Sequence, residues 1–71
     1  MSFGTKLREY RKRSGMKQNI LAGRVGIHPE YLGDIERGRY TNPGVIIVAR
    51  LIKELHLDTN EAAALMEEFL R

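Results

Sequence analysis

The chain contains no cysteine. That excludes a disulfide, a thiolate zinc site and a cysteine nucleophile. Serine occurs only at positions 2 and 14, and histidine only at 28 and 56. Both histidines fall where helices are expected to begin or end, and no third group completes a site with His56 and Asp58. No metal or cofactor motif is present, so the expectation is a protein that is not an enzyme and needs no cofactor. No unbroken apolar run is longer than Val45–Ala49, far short of the roughly 20 residues a membrane-spanning helix needs. Lys6, Arg8, Arg11, Lys12 and Arg13 crowd the first fifteen residues, leaving no apolar core for a secretory signal. A soluble, cytoplasmic protein is expected. Repeats, low-complexity segments and linkers are also missing, so residues 1–71 are expected to form one domain.

A 71-residue chain buries only about 60% of the surface its unfolded form exposes. Its stability must come from helix packing, with a second copy as a natural supplement. The net charge of +3 is unevenly placed. Residues 1–40 carry nine Lys/Arg against four Asp/Glu, and residues 41–71 carry three against five. A basic first half suits a polyanion and an acidic second half repels one. Composition alone leaves an ordinary solvated surface equally open.

Glycine and proline punctuate the chain into five helices, an all-α pattern. A first helix is expected to follow a Ser2 N-cap, with Phe3, Leu7 and Tyr10 at helical spacing and Gly15 at its stop. A second is expected from Gln18 to Val25, closed by Gly26, with Leu21, Ala22 and Val25 inward. A third opens at His28–Pro29, since a first-turn proline gives up a hydrogen bond the helix never makes, and closes at Gly38. A fourth is expected from Asn42–Pro43 to about Leu55. The β-branched "VIIVA" favours a strand locally, but no second strand-like segment exists to pair with it. In that fourth helix Val45, Val48, Ala49, Ile52 and Leu55 suffice for the core, leaving Ile46 and Ile47 over. A fifth begins at Asp58 with Glu61 completing a capping box, and Ala62, Leu65, Met66, Phe69 and Leu70 form its apolar stripe.

The second and third helices are separated by about three residues containing glycine, the helix-turn-helix layout whose second helix can enter the DNA major groove. At 100° per residue, Tyr31, Leu32, Ile35 and Glu36 fall on one side of the third helix. Pro29, Glu30, Gly33, Asp34 and Arg37 fall on the other. "KQNILAGRVGIHPEYLGDIERGRYTNP" resembles the phage-repressor/Cro-type helix-turn-helix family, through Gln18, Leu21–Ala22, Gly26 before Ile27, the run Ile35–Glu36–Arg37–Gly38, and Asn42–Pro43. The flanking "FGTKLREYRKRSGM" and "VARLIKELHL" resemble that family's first and fourth helices, so the likeness covers roughly residues 3–57.

The resemblance implies a compact five-helix domain, with its helix-turn-helix at about 17–37, that binds operator DNA, usually as a dimer. It implies that Gln18 grips a phosphate and braces the reading helix, that Arg11 pairs with Glu36, and that Arg37, Arg39, Tyr40, Thr41 and Asn42 follow the phosphate backbone. Lys17 departs from the Ser or Thr often found there. Lysine accepts no hydrogen bond, so the free N–H groups of the second helix are left to a phosphate or to water. His56 stands where the family often has glycine.

Two carboxylates on the outward face, Glu30 and Asp34, oppose DNA affinity but can contribute selectivity. A carboxylate accepts from cytosine N4 in the major groove, and Glu30 also suits the positive end of the helix dipole. Asp34 has an alternative partner in Arg37, three residues on. Pro29, Glu30, Gly33 and Asp34 are the expected base-reading positions. Lys17, Gln18, Arg37, Arg39, Tyr40, Thr41 and Asn42 are the expected phosphate contacts. The function expected is a sequence-specific, DNA-binding transcriptional regulator: a repressor or autoregulator that binds a palindrome-like operator as a homodimer, open to control by a protein antagonist. The other reading is a module of the same fold that binds another regulator rather than DNA, favoured by the acidic face and by Ile20, Ile46 and Ile47.

Overall fold

The computed structural model describes residues 2–40 and 42–71. They form α1 (Phe3–Arg13), α2 (Gln18–Val25), α3 (Pro29–Glu36), α4 (Val45–Glu54) and α5 (Thr59–Leu70). The Ser2 hydroxyl accepts from the Thr5 N–H and caps α1. Asp58 and Glu61 exchange side-chain and backbone hydrogen bonds in a full capping box at α5. Gly26, at φ 86°, ends α2 in the left-handed conformation, where a Cβ would clash. Its N–H and that of Ile27 both return to the Ala22 carbonyl.

The core draws on every helix: Leu7 from α1, Leu21, Ala22 and Val25 from α2, Leu32 and Ile35 from α3, Leu51 from α4 and Leu65 from α5. Each fully buried leucine contributes about 1.5–3 kcal/mol. α2 packs on both α3 and α4, while α1 packs on α3 and α5. α1 approaches α3 so closely that a Cβ at Gly4 would stand 2.3 Å from the Ile35 carbonyl oxygen. Only glycine fits that crossing. At the opposite side, Arg50 of α4 donates to the Val25 carbonyl at the end of α2.

Three expectations are corrected. α4 does not start at Asn42–Pro43. Gly44 takes φ 89° and ψ 150° as its N-cap, a conformation no helix continues through, and Pro43 is buried ahead of it. The core face of α4 is Val48, Leu51 and Leu55, flanked by Ile47 and Ile52, while Val45, Ile46 and Ala49 are exposed. Apolar residues lie all round this helix, so periodicity admits more than one inward face. Leu70, expected in the α5 stripe, is 74% exposed. α5 instead turns Leu65 fully inward and sets Phe69 against Phe3 of α1, ring centroids 5.6 Å apart.

Candidate nucleic-acid interface

The site begins with a buried charge. Glu36 lies on the inner side of α3, its side chain 1% exposed. An unpaired carboxylate there would be costly, and two side chains meet it with three hydrogen bonds. Arg11 of α1 grips it with two hydrogen bonds, Nε to Oε2 at 2.6 Å and Nη2 to Oε1 at 3.1 Å. Gln18, at the start of α2, donates to Oε1 at 2.9 Å. The remaining Arg11 nitrogen, Nη1, reaches the Met16 carbonyl in the α1–α2 turn. One carboxylate therefore fixes α3 against α1, the turn and α2. Among the described residues, no buried side-chain polar atom lacks a partner.

That network holds the outer face of α3 rigidly to solvent. Pro29 and Glu30 are exposed at its first turn. Asp34 is half-buried and accepts from Arg37 Nη2 at 2.8 Å, with Arg39 Nη1 at 3.9 Å. Gly33 lies on the same side but is buried rather than open, because the Arg37 guanidinium covers it. Helical side chains lean back over the preceding turn, which puts residue 37 on residue 33.

Beside this face runs a groove lined by Thr5, Arg8, Arg11, Lys17, Gln18, Glu36 and Arg37, four cations against one carboxylate. Lys17 is the N-cap of α2 and supplies no side-chain hydrogen bond to it. The helix dipole and the lysine charge thus point the same way, toward an anion. Beyond α3, Arg39 is 73% exposed along its side chain, and Tyr40 stacks edge-on against Tyr31 with centroids 4.9 Å apart. Burial first, and Tyr40 second, push the Tyr31 hydroxyl above its ordinary pKa. Asn42 is exposed, and Thr41 lies outside the described residues.

The structure thus brings Lys17, Gln18 and Arg37 to one groove and gathers Arg37, Asp34 and Arg39 at the end of α3. Thr5 and Arg8 of the groove were not singled out from sequence. Their signal was there: they lie three residues apart on the first helix, one turn before Arg11. Among the described residues no group of three His, Asp or Glu side chains could hold a metal ion, and no helix is long and apolar enough to cross a membrane.

A short glycine turn between two packed helices, with the second held outward by a buried network, defines a helix-turn-helix protein. A family model described as a helix-turn-helix domain matches residues 2–65, and the chain belongs to that family. It is 40% identical over 58 residues to the HTH-type transcriptional regulator SlrR of Bacillus subtilis, a match covering 82% of this chain and 38% of that protein. It is 34% identical over 64 residues to an uncharacterized HTH-type transcriptional regulator of Methanothermobacter thermautotrophicus, covering 90% of this chain and 91% of the relative. The chain therefore spans well under half the length of SlrR and nearly the full length of the archaeal protein. No solved structure matches it.

Proposed function

We propose that the protein is a sequence-specific, DNA-binding transcriptional regulator that places α3 in the major groove. The observation that carries this reading is the mounting of α3. A buried Arg11–Glu36–Gln18 network holds an outward polar face beside a groove of four cations. Lys17, Gln18, Arg39, Tyr40, Thr41 and Asn42 take phosphates in this reading, positioning the protein without reading sequence. Glu30 reads a base by accepting from cytosine N4. In this reading the protein is a repressor or autoregulator on a palindrome-like site, set by its abundance or by a protein antagonist.

The second half of the chain supports a two-fold assembly. Val45 and Ile46 are 64% and 68% exposed, and α5 packs chiefly on α1 rather than over them. A homodimer that buries these residues places two reading helices about 34 Å apart, one turn of DNA. It also keeps the acidic half of each chain away from the phosphates. The same exposed residues favour a second reading, a module that docks on another regulator.

Selection of bound duplexes from a random pool separates the two. Enrichment of a two-fold symmetric site, with two chains per duplex by analytical ultracentrifugation, is the result expected. Glu30→Gln then shifts preference at one base pair by about 1–3 kcal/mol. An unenriched pool supports the docking module.

A further inference from the structure

Two residues on the outer face of α3 run against what their position asks for. Gly33 sits in the middle of an eight-residue helix, where glycine weakens the helix relative to alanine. Asp34 puts a carboxylate on a face that this reading turns toward a polyanion. Both serve the same neighbour. The Arg37 side chain runs back along the helix, and its guanidinium rests on Gly33. A Cβ at position 33 would stand 3.1 Å from Nη1 and 3.2 Å from Nη2, so an added methyl makes the guanidinium give way by a few tenths of an ångström. Asp34 Oδ1 then holds Nη2 at 2.8 Å, the only hydrogen bond the Arg37 side chain makes among the described residues.

Resting on the DNA-binding function proposed above, we propose that Arg37 is the principal base-reading residue and reads a guanine, with Gly33 as its seat and Asp34 as its clamp. A guanidinium presents its five N–H donors in a rigid fork, and guanine offers the matching acceptor pair, O6 and N7, in the major groove. A phosphate contact asks less. It needs a cation within reach, and a carboxylate beside that cation weakens it. Arg39, beyond the helix and 73% exposed, suits the phosphate role. Arg37 is instead half-exposed and held in one pose on the reading face, so it leaves the set of phosphate contacts expected from sequence. The Asp34 carboxylate is already engaged, so it acts by positioning Arg37 and does not itself read cytosine.

The test uses a duplex selected by the wild-type protein, and the same duplex with each G·C pair replaced in turn by A·T. Affinity is measured for wild type, Arg37→Lys, Arg37→Ala, Gly33→Ala and Asp34→Asn, with helicity and Tm followed by circular dichroism. Wild type is expected to lose roughly 5- to 150-fold at one G·C pair, the range for a good bidentate contact. Arg37→Lys keeps the charge and the salt dependence but loses part of that discrimination, because an ammonium lacks the rigid fork. Gly33→Ala keeps or raises Tm and loses discrimination at the same pair, and Asp34→Asn loses part of it. A uniform loss across all duplexes in Arg37→Ala, with the salt slope lowered by about one unit, makes Arg37 a phosphate contact; that overturns the inference and leaves DNA binding intact. Full discrimination in Gly33→Ala, or a lowered Tm, overturns the seat. Absence of saturable duplex binding by the wild type overturns the inference together with the reading beneath it.

Discussion

The two ends of this molecule are held together by different physics. α1, α2 and α3 share a buried charged network and a helix crossing tight enough to exclude a methyl group. α4 and α5 join them chiefly through apolar packing, with the Arg50–Val25 hydrogen bond and surface ion pairs at the margins, and they leave Val45, Ile46 and Leu70 in solvent. The first arrangement specifies one geometry. A bidentate carboxylate–guanidinium pair has a single good alignment, whereas aliphatic side chains tolerate repacking. The rigid end is also the basic end, with nine cations against four carboxylates in residues 1–40. Rigidity thus lies where the proposed reading helix needs a fixed pose, and adaptable apolar surface lies where the proposed homodimer would form.

Removing one partner of the network is the sharpest way to break that contrast. Arg11→Met strands Glu36 and is expected to cost about 3–5 kcal/mol, a large part of the total stability of a domain this size. Chemical denaturation measures it, and Arg11→Met with Glu36→Leu recovers much of the loss. Near-wild-type stability in the single variant would mean the pair does not hold α3. Gly4→Ala follows, at about 1–3 kcal/mol, because its Cβ meets backbone at Ile35 and Glu36 that cannot swing aside. An unchanged Tm would show that α1 shifts freely on α3.

The other end gives smaller effects. His56 is the one non-glycine residue with positive φ among those described, at 53°. Histidine in the left-handed region costs roughly 1–2 kcal/mol, and glycine's extra chain entropy returns about half of that. His56→Gly should therefore raise stability by about 0.5–1 kcal/mol, read from the denaturation midpoint; a loss would mean the imidazole makes a contact that outweighs the strain.

The smallest effect is at the α1–α5 seam. The Arg13 guanidinium, and then the Asp58 N–H, hold the Glu61 carboxyl below its ordinary pKa. A depressed folded pKa contributes stability above the unfolded value that is lost as pH falls through the folded one. Glu61→Gln should flatten the acid limb of the stability curve below about pH 4.3. An unchanged limb would place the acid-sensitive group elsewhere.

What the sequence disclosed divides along a different line, between local signals and tertiary contacts. The bounds of α2 and α3, the capping box and the polar outer face rest on local signals: caps, proline, glycine and a 3.6-residue period. The Arg11–Glu36 pair followed from the family's pattern. The inward face of α4 was not legible, because its apolar residues surround the helix and only the neighbours choose among them. Gly4 carried no signal at all. Its need for glycine comes from α3, more than 30 residues away in sequence. Gly33 was legible as an outward glycine, but the group that covers it was not, since spacing does not say where a flexible arginine comes to rest.

The salt dependence of duplex binding tests the central claim most directly. If the rigid, basic end grips phosphates, log Kd should vary linearly with log salt concentration, with a slope near 0.9 for each phosphate neutralised. Arg39→Ala should lower that slope by about one unit and weaken binding to every duplex alike. The absence of saturable duplex binding at low salt, or a slope that does not change in Arg39→Ala, would contradict the account.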